Sequence, residues 1–131
     1  MPTDSFRDAA FCDVLNRELV CALGCTEPIA VAYAAALPSQ TLGCEPDHMD
    51  VACSGNIIKN VKSVTVPNSG GMHGIEAAAV LGAVGGDAKS ALEVLESVND
   101  EDRARVAELL ADAGYCDVSL VEGVPNLYLK V

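Results

Sequence analysis

Gly24-Cys25-Thr26-Glu27-Pro28 is the stretch whose residue types and order best suit chemistry. A cysteine precedes a threonine able to cap a helix, a proline able to sit in its first turn, and an alanine-rich apolar run ending near Leu37. That order predicts Cys25 at the positive end of a helix. The unpaired N–H groups of a first turn, with the helix dipole, stabilise an anion and can lower a thiol's pKa, so Cys25 is a candidate thiolate. A cysteine at a tight helix-to-helix corner can equally be a small weak hydrophobe, and spacing alone leaves both readings open. Glu27 fits acid/base work, and also fits a plain favourable interaction with the dipole.

Two further polar groups invite a binding role. The segment Pro67 to Gly74 holds three glycines with Asn68 and Ser69, and a loop of this kind can cradle a carboxylate or phosphate with its N–H groups. It lacks the Gly-Lys-Ser/Thr of a P-loop and the GxGxxG of dinucleotide folds, and an ordinary turn explains it as readily. Gly70 is its first glycine, and His73 can be a helix cap, an exposed residue or a substrate contact. Ser54, Asn56, Lys59 and Asn60 form the second group, with Lys59 as a positive charge for a carboxylate or simply a solvated side chain.

The elements that must position these residues read as a mixed α/β (α+β) layout, helices packed on a small mixed sheet. Ser5 to Leu23 has helical spacing and stops at Gly24. A second helix runs to Leu37, where Pro38 breaks it, and Met49 to Cys53 is a short strand. Ser54 to Asn60 reads as a turn or single helical turn leading into a β-branched strand, Val61 to Val66, adjacent to the first in one sheet. After the glycine loop, Ile75 to Val84 is small and apolar enough for a central helix. Asp87 can cap a helix through Val98, and Asn99 one from Asp100 to Ala113. Cys116 to Val121 and Leu127 to Val131 read as strands joined by a turn at Gly123 to Asn126.

With 131 residues, half of them hydrophobic, the chain suits one domain with a modest core. The net charge of −11 and only 8 Lys and Arg argue against nucleic acid. The polar start, Met1 to Asp8, and the brevity of the run Ile29 to Leu37 argue against a signal peptide or membrane span, so a cytoplasmic location is expected. Six cysteines without a CxxC pair or Cys/His cluster predict reduced thiols, roughly four of them buried as small apolar residues.

The segments Gly24 to Ala30, Asn56 to Asn60, Val64 to Pro67 and Ala83 to Gly86 together resemble the N-terminal part of the iron–sulfur L-cysteine desulfidase and L-serine dehydratase alpha-type family. The resemblance runs from about Leu19 to Val98, and its most specific element is Gly24-Cys25-Thr26-Glu27-Pro28. It implies a lyase independent of pyridoxal phosphate, converting cysteine or serine to pyruvate and ammonia, with hydrogen sulfide from cysteine. A [4Fe–4S] cluster would serve the complete enzyme and not this chain alone, because the family's cluster cysteines lie beyond the matched region. The chain then corresponds to the front portion of a longer enzyme, incomplete as a domain. Its expected partners are a small amino acid and a C-terminal half or second subunit carrying cluster cysteines, with homo-oligomerisation open. On this resemblance Cys25 is the base or a reversible cluster ligand. Thr26, Glu27, Ser54, Asn56, Lys59, Asn60, Asn68, Ser69 and Gly70 are the substrate-binding candidates. The loop departs from the family's Pro-Gly-Thr-Gly, reading Pro67-Asn68-Ser69-Gly70-Gly71. A non-catalytic small-molecule-binding or regulatory module is the alternative.

Overall fold

The computed structural model describes residues 4–131. Helix α1 spans Asp4–Glu18 and α2 spans Thr26–Leu42. Strand β1, Met49–Cys53, is followed by α3, Gly55–Val61, and α4, Gly74–Gly85. A 3-10 segment, Ala88–Glu93, precedes α5, Asp100–Leu110, and the chain closes with β2, Cys116–Leu120, and β3, Leu129–Lys130. The fold is α+β, with helices on a small mixed sheet, as the sequence predicts. Among the described residues no helix is long and apolar enough to cross a membrane.

The core forms where two helices with small side chains meet. Ile29, Val31, Ala32, Ala35 and Ala36 of α2 are buried against α4, of which every residue from Gly74 to Gly82 except Glu76 is buried. At the crossing the α4 backbone lies so close to α2 that a Cβ on Gly82 would stand 2.6 Å from Ala32 Cα. The central place predicted for Ile75 to Val84 is therefore observed. Helix α5 packs on α4 through the buried Val106, and α4 also touches β1 and β2. Asn99 and Asp102 close a reciprocal capping box on α5, with Asp102 N donating to Asn99 Oδ1 at 2.9 Å.

Several boundaries differ from expectation, each for a local reason. Pro38 sits inside α2 rather than ending it. It is exposed, and Ser39 Oγ beyond it donates to Ala83 O at 2.7 Å, so the helix runs on until Gly43 takes the left-handed conformation at φ 76°. Ser54 caps α3 by accepting from Ile57 N, so Gly55–Val61 is helical and Val61 does not begin a strand. The remaining β-branched residues make only a small bridge, Thr65 to His73, flanked by bonds from Val66 N to Met72 O at 2.8 Å and Gly74 N to Val64 O at 3.3 Å.

The helix predicted from Asp87 to Val98 is a short 3-10 segment with Ala91 at φ 49°. Asp87 N donates to Val94 O, and Asn68 Nδ2 donates to Leu95 O and Val98 O, so those carbonyls serve the loop instead of a helix ladder. The predicted hairpin of the last two strands is also absent. The sheet order is β2-β1-β3, with β1 parallel to β2, Val51 opposite Val118, and antiparallel to β3. After Val121 N bonds Cys53 O, the chain wraps round the end of β1, where Ser54 holds Asn126 O and Tyr128 O.

Candidate functional site

Gly24, at φ 92°, makes the corner before α2, and its Cα lies against the Pro67 ring; a Cβ there would reach Pro67 Cγ at 3.0 Å. The fold thus brings the Cys25 segment to the start of the glycine loop. Cys25 itself, and not Thr26, occupies the N-cap position, with φ −68° and ψ 130°. Its side chain makes no capping bond and is exposed. The Sγ instead faces Glu27 Oε2 at 3.9 Å, and Thr26 Oγ1 lies 3.5 Å from the same oxygen. Thr26 and Glu27 are the first two helical residues and Pro28 the third, so the free N–H donors at this end belong to Cys25, Thr26 and Glu27.

The glycine loop is held by its own side chains. Asn68, in the left-handed region at φ 55°, donates through Nδ2 to Leu95 O at 2.8 Å and Val98 O at 3.1 Å. Its Oδ1 and its backbone carbonyl both accept from Arg103 Nη1, at 3.0 and 2.9 Å. Ser69 is buried, and its Oγ accepts from Met72 N at 2.9 Å. Both side chains are therefore occupied as braces. Gly70 and Gly71, at φ 73° and 98°, leave the exposed turn without side chains. His73 is the N-cap residue of α4 without a side-chain cap bond, and its Nε2 pairs with Thr65 Oγ1 at 3.1 Å.

Of the α3 group, Ser54 is buried and its Oγ donates to Asn126 O at 2.5 Å while accepting from Ile57 N. Lys59 is exposed in the last turn of α3, and Asn56 and Asn60 are partly exposed on the same helix. Helix α3 packs on α2, but among the described residues no hydrogen bond joins this group to Cys25, Glu27 or the glycine loop. The structure brings Cys25, Thr26, Glu27 and Pro67 together and leaves Ser54, Asn56, Lys59 and Asn60 as a neighbouring group.

Four cysteines, Cys12, Cys21, Cys25 and Cys44, are exposed, and only Cys53 and Cys116 are buried, the reverse of the expected balance. Cys12 lies on α1, whose residues are all exposed, and Cys21 and Cys44 lie in connecting segments, so none of them has a core to enter. Burial, with the Glu76 charge added, pushes the Cys53 thiol up and the Cys116 thiol up to about 11. Among the described residues no cysteine joins two other potential ligands within metal-binding reach. The exposed thiols, Cys12, Cys21, Cys25 and Cys44, lie on separate segments of the chain and show no cluster-like arrangement.

One group invisible to residue spacing does converge. His48, Asp50 and Asp117 present ligand atoms within 4.8 Å of one another, all exposed. Asp50 and Asp117 are register partners across the parallel β1–β2 pair, which puts two like charges side by side. His48 Nδ1 faces Gly114 O at 2.9 Å and Nε2 faces Asp50 Oδ1 at 3.0 Å and Asp117 Oδ2 at 3.6 Å. Because a carbonyl and carboxylates only accept, a doubly protonated imidazolium satisfies this geometry best. The Asp50 hydrogen bond, aided by Gly114 O and both carboxylates, accordingly raises the His48 pKa. The signal that finds this group is strand register, which needs the fold. Arg103 was equally hidden, since its link to Asn68 spans 35 positions.

Two cavities, of about 280 and 290 Å3, lie at the other end of α2. The first is lined by apolar residues, among them Ala35, Leu42, Met49 and Ala83, together with His48 and Asp50. Thirteen residues of helix lie between Cys25 and Ser39, which is beside both cavities, so the two stand about 20 Å apart at 1.5 Å per residue.

The chain is similar to proteins that carry the name UPF0597. It is 51% identical over 121 residues to one from Finegoldia magna, covering 92% of this chain and 29% of that protein. It is 50% identical over 119 residues to one from Lachnoclostridium phytofermentans, covering 91% of this chain and 28% of that one. Over its full 131 residues it is 44% identical to one from Treponema denticola, of which it covers 30%. The chain thus spans less than a third of the length of these curated relatives. No family model matches it, and no solved structure matches it.

Proposed function

We propose that this chain is one part of a lyase, independent of pyridoxal phosphate, that eliminates the β-substituent of L-cysteine or L-serine. The products are pyruvate and ammonia, with hydrogen sulfide from cysteine. The iron–sulfur cluster of such an enzyme would be held by chain outside these residues. The observation that carries this reading is the Cys25–Glu27 pair, a thiol 3.9 Å from a carboxylate on an open helix N-terminus packed against a glycine loop.

In this reading the substrate carboxylate docks at the N–H groups of Thr26 and Glu27, where the helix dipole favours an anion. Cys25 first gives its thiol proton to Glu27, and the thiolate left behind takes the α-proton, so that the proton on Glu27 is available to the departing sulfide or hydroxide. The electrons of the broken C–H bond form the Cα–Cβ double bond, and the β-sulfur or oxygen leaves with its own bonding pair. The resulting 2-aminoacrylate takes up water to give pyruvate and ammonia. Lys59, exposed on α3, adds positive charge, while Asn68, Ser69 and Ser54 keep the surrounding backbone in place.

The test is a chimera in which this chain replaces the aligned region of the Treponema denticola relative, reconstituted anaerobically with iron and sulfide. It should form pyruvate from cysteine or serine, and Cys25→Ser should lower turnover by about 100-fold or more while leaving the fold intact. A folded, iron-bearing chimera that forms pyruvate from neither substrate defeats the proposal, as does near-normal turnover of the Cys25→Ser form. The apolar cavity beside His48 favours a second reading, a small-molecule-binding module. Amino-acid binding that survives Cys25→Ser but is lost on filling the cavity with Ala83→Trp would select it.

A further inference from the structure

Helix α1 has no buried residue at all. Phe11, Val14 and Leu15 fall at i, i+3 and i+4, sharing one face, and Phe6 lies nearer the start of the helix. Leu19 and Val20 continue the apolar surface beyond the helix end, and these six side chains are between 52% and 71% exposed. The ion pairs of α1, Arg7 with Asp4 and Arg17 with Asp13, both run within the helix. After it, Leu23 N bonds Leu92 O and the chain rejoins the body. A helix this short is marginal in water by itself, and an apolar patch of this kind marks a contact surface. The helix α4, whose apolar run would need outside cover if it were bare, is already enclosed.

What covers α1 can be argued from length and charge. The Treponema denticola relative aligns with this whole chain and yet has 70% of its length beyond it, since the chain covers 30%. A second copy of the chain is a poorer occupant, because each copy carries a net charge of −11. We infer that α1, with Leu19 and Val20, is the docking surface for the part of these longer proteins that lies outside the aligned region, received in an apolar groove. This rests on the reading of the chain as one part of a larger enzyme. It adds where the parts meet. Only seven residues separate Glu18 from Thr26, so the C-terminal end of α1 stands within about 25 Å of Cys25 even with the connection fully extended.

Hydrogen exchange tests this on both proteins as they exist. In this chain alone, amides of α1 should exchange within seconds to minutes. In the intact Treponema denticola relative the aligned segment should be protected by at least about 100-fold more. Equal, rapid exchange in both overturns the docking surface. A chain that is dimeric at micromolar concentration with α1 protected overturns it too, in favour of a second copy. Because both side chains are exposed, Phe11→Glu with Leu15→Glu should leave this chain's fold unchanged. In the chimera described above it should raise exchange of α1 to the rate of the isolated chain, and unchanged protection overturns the assignment. The pyruvate assay is independent. A protected segment in an inactive chimera removes the lyase reading alone, and a freely exchanging segment in an active one removes the docking surface alone.

Discussion

Gly82→Ala puts the packing of α2 on α4 to a direct test. A Cβ at Gly82 would point into α2 beside Ala32 O, with Ala32 Cα only 2.6 Å away. Carbon atoms in contact settle at about 3.5–4.0 Å, so the helices must part by roughly 1 Å. Backbone on both sides leaves no flexible side chain to give way. That parting loosens the seam where Val31, Ala32, Ala35, Ala36, Ala78 and Leu81 are all buried. Overpacking against backbone on both sides belongs at the upper end of the usual range, about 3 kcal/mol, and the better helix propensity of alanine returns about 1, for a net loss of about 2 kcal/mol. Against a total of order 10 kcal/mol, this lowers Tm by about 10 °C. Urea unfolding followed by circular dichroism measures it. Gly43→Ala is the control: its φ is 76° but nothing lies within 4 Å of the added Cβ, so it should lose only about 1–2 kcal/mol, from backbone conformation. A Gly82→Ala protein within about 1 kcal/mol of the parent, or more stable than Gly43→Ala, would refute the close crossing.

Two further expectations concern titration and reactivity. The folded-state pKa of His48 is raised above its ordinary 6.5 chiefly by the Asp50 hydrogen bond, so its contribution to stability is complete below the unfolded value and lost as pH rises through the folded one. Tm should therefore fall across and just above neutrality, modestly because the group is half exposed, and Asp50→Asn should flatten the slope; an imidazole titrating at or below 6.5 by NMR contradicts the clamp. Under native conditions iodoacetamide should modify Cys12, Cys21, Cys25 and Cys44 and spare Cys53 and Cys116 until the protein unfolds, which mass spectrometry reads directly; early modification of Cys116 would show that its burial on β2 is misplaced.

What was legible in the sequence is what local chemistry decides. Asn99 followed by three acids announces the start of α5, and the small apolar run after Gly74 announces the buried α4, because a capping box and a helix seam are written in neighbouring residues. Gly24-Cys25-Thr26 announces a helix start to within one residue; which of the two takes the cap position depends on the turn at Gly24, and so on the Pro67 ring against it. The errors arise where a neighbouring cap or a partner distant in sequence overrides strand or helix propensity. Val61 to Val66 has strand-forming residues, but Ser54 caps a helix across Val61, and the strand partner that Val64 to Val66 finds is its own loop. The 87–98 segment has a capped, apolar-spaced start, yet Asn68, nearly thirty positions earlier, withdraws its carbonyls. The same distance effect divides the candidate site. Cys25 with Glu27 is local and readable, whereas the brace that holds the loop beside it, Arg103 on Asn68, belongs to a helix whose own pattern says nothing of a loop. A thiol set at an open helix end has its position supplied from within this chain. Four large apolar side chains of α1, with Leu19 and Val20 just beyond its end, face water shortly before it, and on the proposed reading the rest of the site is completed from the α1 side.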